Sequence, residues 1–207
     1  MYNQDVASIK RYVKHGGADA LVEGVVLFTL TTIQAGLSTC KGAMTKVRVD
    51  GLDANCLWGK KADGLAYARA NGDRLYSETY KIIKTYGYDD PEGCTEAILL
   101  YMAIPNIGMV KAGFICQQLG FNTACLDTHN LRRLGMSPSS TKVSAKASPE
   151  LIRKKVSAYV LLCIDKGGAK YWWDSWCNFV AGNTANRSLP TGKLVSNFHV
   201  ECVTLPM

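Results

Sequence analysis

IPNIGMVKAGFICQQLGFNTACLDTH, residues 104–129, is the stretch on which the fold turns. Pro105 has no backbone N–H and stops the helix before it. Asn106 and Gly108 are the residue types that tolerate a positive φ, so Pro-Asn-Ile-Gly reads as a tight turn between two helices. The second helix, expected over 109–119, starts with backbone N–H groups that no helical carbonyl can take. Those groups and the helix dipole suit a phosphate oxygen. Lys111 stands one turn in and adds a charge beside the same place. After a Gly break comes an apolar triplet and then Asp127, Thr128 and His129, where another helix is expected to start. A carboxylate there is either an ordinary N-cap or a group with chemistry of its own.

Outward from this stretch the chain reads as mainly helical. The helix before the turn is expected from Pro91, a first-turn residue, to Ala103. Residues 3–14 carry Val6, Ile9, Tyr12 and Val13 on one side, and Gly16-Gly17 is expected to break that pattern. Residues 18–35 read as a buried helix. KVRVDG (46–51) reads as a short strand or an extended loop. Residues 61–86 read as two helices divided at Gly72. SPSSTKVSAKAS (137–148) is Ser-rich and free of acids, a loop. Ser148, Pro149 and Glu150 then form a helix start. Residues 169–182 read as a last, aromatic helix, and the tail from Arg187 alternates weakly, as an extended segment would.

The chain has 207 residues, 24 Lys+Arg against 17 Asp+Glu, and a net charge of +7. That balance is compatible with nucleic acid or another anionic surface. From His129 to Lys155 seven Lys/Arg face Glu150 alone, a local net of +6 suited to a strand's phosphates. The eight cysteines include no CxxC pair, and most sit in apolar runs, so reduced buried thiols are expected. MYNQDVASIKRYVKH lacks the apolar stretch of a secretory signal, and a cytoplasmic location is expected. ALVEGVVLFTLTTIQAGL (20–37) contains Glu23, Gln34 and two Gly, so a buried helix is expected and no membrane span. No Cys/His group has ligand spacing, so no metal is expected.

Taken whole, residues 93–135 resemble the helix-hairpin-helix DNA glycosylase superfamily. The residues that carry the resemblance are Ile104-Pro105-Asn106-Ile107-Gly108, Ala112, Cys125-Leu126-Asp127-Thr128-His129 and Leu131-Arg132-Arg133. A weaker likeness covers 27–43, LFTLTTIQAGLSTCKGA, which is similar to the family's core helix and its DNA-facing turn. Residues 149–182 would complete the fold, while 44–90 and the tail have no counterpart. The resemblance implies an all-α, glycosylase-like chain of two closely packed helical subdomains forming one domain over 1–207. Its hairpin would lie at about 93–120 and its catalytic-Asp segment at 125–135. It implies a base flipped from double-stranded DNA and Asp127 as the catalytic carboxylate beside a positively charged sugar, with His129 in support. DNA contacts would come from Asn106, Gly108, Val110, Lys111, Gln34, Arg132 and Arg133. It leaves room for a monovalent cation on hairpin carbonyls and implies no other cofactor; a monomer is expected.

The departures from the family are as informative. Family members with lyase activity place a lysine where Val110 stands. Lys111 is turned from that position by about 100° and is expected to point elsewhere. Cys163, Cys177 and Cys202 are too few and too far apart for the family's iron–sulfur cluster. Asn106 replaces the first hairpin glycine. Trp172, Trp176 and Phe179 recur at helical spacing, either as core packing or as a wall for a base. Three functions are therefore expected in order. The first is a monofunctional DNA repair glycosylase, a hydrolase in which Asp127 works with water. The second is a DNA-modifying transferase placing an amino acid on an activated hydroxymethyluracil, as the similarity to phage-encoded glycosylase-like proteins of bacterial hosts implies. The third is a non-catalytic DNA-binding module.

Overall fold

The computed structural model describes residues 1–33, 35–144, 146–182 and 191–204, without the side chains of 37, 38 and 138. Among these the chain is all-α, with eleven α-helices and no strand. It divides into two compact units. The first holds Met1–Tyr76, Ile104–Asn106 and Trp173–Met207, and the second holds Ser77–Ala103 and Ile107–Trp172.

The first unit opens with α1, Tyr2–Ala20. The helix breaks at Gly17, as expected: its φ of 61° and ψ of −141° are non-helical, a conformation open to glycine, and two helical segments meet there at a kink. The chain continues as a π-helical turn, Leu21–Val26, and then as α2, Leu27–Thr31. Val25, Val26, Leu27 and Phe28 are all fully buried, as the continuous apolar run requires. α3 spans Leu37–Asp50, which corrects the strand or loop expected at KVRVDG. Cys40, Met44 and Val47 recur at i, i+4 and i+7 and are all fully buried, and Lys46 pairs with Asp50 at 2.7 Å one turn on. The helical face therefore overrides the β-branched residues. α4 is Lys61–Ala70, and α5 is Gly72–Tyr86, the division expected at Gly72.

α10 (Gly168–Gly182) enters this unit from Trp173 onward, and α11 (Gly192–Val203) closes it. The described part of the tail is thus a helix, not an extended segment. Thr191 caps it by accepting from Leu194 N at 3.3 Å, and Val195, His199, Cys202 and Val203 form a buried stripe. α11 packs against α1 and α3.

The second unit contains the 104–129 stretch apart from 104–106. α6, Pro91–Met102, starts at Asp90, whose carboxylate accepts from Glu92 N and Gly93 N, both at 2.9 Å. α7 is Met109–Gln118, α8 is Thr128–Arg133, and α9 is Pro149–Asp165. Ser148 caps α9 with Pro149 in its first turn, as expected. α6 packs on α7 and on α9. Arg153 of α9 grips Glu92 at 2.6 Å and also Glu96, both on α6. Residues 137–144 and 146–148 form a loop containing one 3₁₀ turn, Pro138–Thr141.

Candidate functional site

Local backbone chemistry builds the hairpin. Asn106 has φ 67° and is the only non-glycine at positive φ among the described residues. Gly108 is different from expectation. Its φ of −87° and ψ of 177° are extended, a conformation any residue adopts. A Cβ at Gly108 would meet nothing within 4 Å. Neither backbone strain nor crowding within the fold explains a glycine there. Gly108 is the N-cap of α7 and supplies no side-chain bond to the first turn.

From the end of α7 the chain turns back and runs along it. Gly113 makes this passage possible: a Cβ there would lie 2.6 Å from the Ala124 carbonyl oxygen and 3.1 Å from the Tyr159 ring. Tyr159 of α9 then holds the segment. Its hydroxyl donates to Ala124 O at 2.6 Å and accepts from Leu126 N at 3.0 Å. Burial pushes the Tyr159 phenol well above its ordinary pKa, so it stays a donor. Asn130 adds a third tie, donating Nδ2 to Cys125 O at 2.9 Å. With both peptide groups beside Cys125 fixed, Asp127 has little freedom of position.

Asp127 is the N-cap of α8. Its Oδ1 accepts from His129 N at 3.0 Å and from Asn130 N at 2.9 Å. Oδ2 takes no part in the cap. The carboxylate is half-buried and lines a cavity of about 730 Å³. Its polar wall comes from Lys111, Asp127, Thr128, Thr141, Lys142 and Ser144. Met102, Met109, Leu126, Leu131, Val143 and Ile152 supply most of the apolar wall. Gly108 and Val110 of the hairpin complete it. All of these residues belong to the second unit.

Lys111 corrects an expectation. Both Val110 and Lys111 line the cavity, so the turn of one residue along α7 does not carry Lys111 away from Asp127. The Lys111 ammonium sits 5.7 Å from the Phe114 ring centroid. The Cys125 thiol lies within the field of both groups. Burial pushes it up to about 12, Lys111 lowers it and Asp127 raises it, so both charges act on one sulfur. At that pKa the thiol is not a nucleophile.

The other expected contacts lie elsewhere. His129, Arg132 and Arg133 are exposed and absent from the cavity wall. Arg133 donates to Asn130 Oδ1 at 3.3 Å. Asn106 is exposed. Gln34 lies outside the described residues. The aromatic helix contributes core: Trp172 is 2 % exposed and Trp173 1 %, and neither these two nor Trp176 and Phe179 line the cavity. Tyr159, Asn130 and Thr141–Ser144 were not foreseen as site residues. Asn130, three residues after Asp127, had a readable signal in its place in the first turn of α8. Tyr159 and the loop come to the site only through tertiary packing.

The eight cysteines form no disulfide, and seven of them are buried. No group of three His, Cys, Asp or Glu among the described residues has the geometry to hold a metal ion. No described helix is long and apolar enough to cross a membrane. No known family model, curated protein or solved structure matches the chain.

Proposed function

We propose that this chain is a DNA glycosylase-like enzyme that acts on a base flipped out of double-stranded DNA. The observation that carries the reading is Asp127 and Lys111 lining one cavity that also includes the uncapped start of α7. The resemblance to the helix-hairpin-helix family supplies the substrate. In the reaction, the bond between the base nitrogen and C1′ lengthens, and its electron pair leaves with the base. Positive charge builds on the sugar, and the Asp127 carboxylate stabilises it. A water oxygen bonds to C1′, and the proton it loses passes to Asp127. Lys111 and the N–H groups at the start of α7 suit the phosphate of the same strand.

The place of Lys111 favours a second reading. Lys111 lines the same cavity as Asp127, as the residue carrying a nucleophile in such a site would. Neutral Nζ then attacks C1′ in place of water, and the base leaves with the electron pair of its bond. The nitrogen loses a proton, the C1′–O4′ bond opens with a proton passing to O4′, and an imine links C1′ to the protein.

The test is a panel of labelled duplexes carrying damaged or mispaired bases, treated with the protein and then with alkali. An alkali-labile site at one base is the expected result, and a borohydride-trapped protein–DNA adduct lost in Lys111→Gln selects the second reading. Released nucleosides of altered mass, with no abasic site, move the function to a base-modifying transferase. Salt-sensitive binding with neither product leaves a DNA-binding module and overturns the enzyme.

A further inference from the structure

The cavity has a wall that the hairpin and Asp127 do not account for. Four consecutive residues of the 137–148 loop, Thr141 to Ser144, line it together with Asp127 and Lys111. A loop held only by its ends would not keep such a register. This one is tied: Lys155 of α9 donates its ammonium to the Lys142 carbonyl at 3.1 Å. α9 in turn is fixed on α6 through Arg153 with Glu92 and Glu96. Thr141 and Val143 are half-buried, while Lys142 and Ser144 are exposed. No Asp or Glu occurs from Thr128 to Pro149, so the loop adds only positive charge and hydroxyl groups.

The charge in the cavity then decides what it takes. Lys111 and Lys142 set two cations against the single carboxylate of Asp127. A neutral nucleobase gains little from two ammonium groups. A phosphate oxygen gains a charge-assisted hydrogen bond from each. A volume of about 730 Å³ lies in the size range of small-molecule sites. A base together with its sugar and phosphate uses that space, and a base alone does not.

We propose that Thr141–Ser144 is a substrate-recognition segment of this site, in which Lys142 binds a phosphate of the flipped nucleotide and Lys155 is a positioning residue that holds the segment in register. The inference rests on the reading of the Asp127 cavity as the site for a DNA strand.

The experiment measures binding of the four deoxynucleoside 5′-monophosphates, each against its own nucleoside, by calorimetry or by chemical-shift titration of the full chain. The wild type is expected to favour one monophosphate over its nucleoside by roughly tenfold or more. Lys142→Gln is expected to remove most of that preference. Lys146→Gln removes the same charge from the same loop at a residue outside the cavity wall, and is expected to leave the preference intact. Lys155→Gln is expected to weaken it severalfold, with Lys155→Arg restoring it. A trinucleotide containing the same base is expected to bind tighter than the monophosphate. Equal affinity for nucleotide and nucleoside, or matching losses in Lys142→Gln and Lys146→Gln, overturns the proposal. So does a free monophosphate that outbinds the trinucleotide. These failures are distinct from failure of the enzyme reading. Base release that continues in Lys142→Gln at an unchanged rate defeats only the loop's role. Phosphate preference that depends on Lys142 without any product from DNA defeats only the glycosylase.

Discussion

Two aspartates at the starts of helices divide the labour of this chain. Asp5, in the first turn of α1, is 6 % exposed, and its Oδ2 accepts from Trp173 Nε1 of α10 at 2.7 Å and from Ser196 Oγ of α11. Asp127 is half-buried and takes its bonds on Oδ1 from the backbone of its own short helix. Asp5 joins three helices of the first unit through one oxygen, and burial leaves it no ligand to meet. Asp127 satisfies only its cap and lines a cavity with what remains. The same side chain is a structural rivet where distant donors converge on it and is left facing a cavity where they do not. Acidity of sequence surroundings does not separate the two; enclosure and the origin of the donors do.

The largest effect on stability should come from Asp5→Ala. It leaves the Trp173 N–H and the Ser196 hydroxyl buried without their acceptor, at roughly 1–3 kcal/mol for each. Urea unfolding should show about 2–6 kcal/mol lost, with base release per folded molecule unchanged. A loss of activity at full stability would dissolve the contrast. Next comes Tyr159→Phe. It strips the Ala124 carbonyl and the Leu126 N–H of a buried partner, and should cost about 1–3 kcal/mol. Because those groups set the place of Asp127, turnover should fall with it, and single-turnover kinetics at a temperature well below unfolding would show this.

A pH effect should mark the first unit. His199 lies fully buried against Phe28 and Trp173, at ring-centroid distances of 4.4 and 4.6 Å. Burial lowers its pKa from 6.5 to about 3. The unfolded chain takes up this proton near pH 6.5 and the folded chain only near pH 3. The unfolded state therefore binds more protons in between, and stability falls as pH drops through that window. The limiting slope is about 1.4 kcal/mol per pH unit. Denaturation midpoints between about pH 7 and 4 should fall less steeply in His199→Phe than in the wild type. Parallel curves would contradict the assignment. The smallest effect on the fold should be that of Gly108→Ala. Its extended backbone and open surroundings leave only the poorer capping of alanine, a loss of up to about 1 kcal/mol. If the glycine serves a ligand's approach, DNA affinity should fall severalfold at matched folded fraction. Unchanged affinity would remove Gly108 from the site.

What the sequence made legible was local. Pro91, Pro105 and Pro149 with their caps, the left-handed Asn106, and Asp127 at the start of a helix all depend on neighbours within a helical turn. The misreadings have one cause as well. KVRVDG and the tail carry β-branched residues that resemble strands when read alone, but Val47 and Val195 belong to helical stripes visible only over longer windows. Lys111 was assigned by rotation about an ideal helix, and a long side chain beside a returning segment is not bound by that angle. Tyr159, 32 residues from Asp127 in sequence, and the Thr141–Ser144 loop reach the site through packing, which no local pattern encodes.

The central claim is that Asp127 acts on substrate rather than only capping α8. Asparagine caps a helix about as well as aspartate, so Asp127→Asn separates the two roles. Single-turnover base release should be measured for both proteins on the same duplex at matched folded fraction. The account predicts a fall of roughly 10²–10³ with a melting temperature within a degree or two of wild type. Equal rates in the two proteins would contradict it and leave Asp127 as a cap.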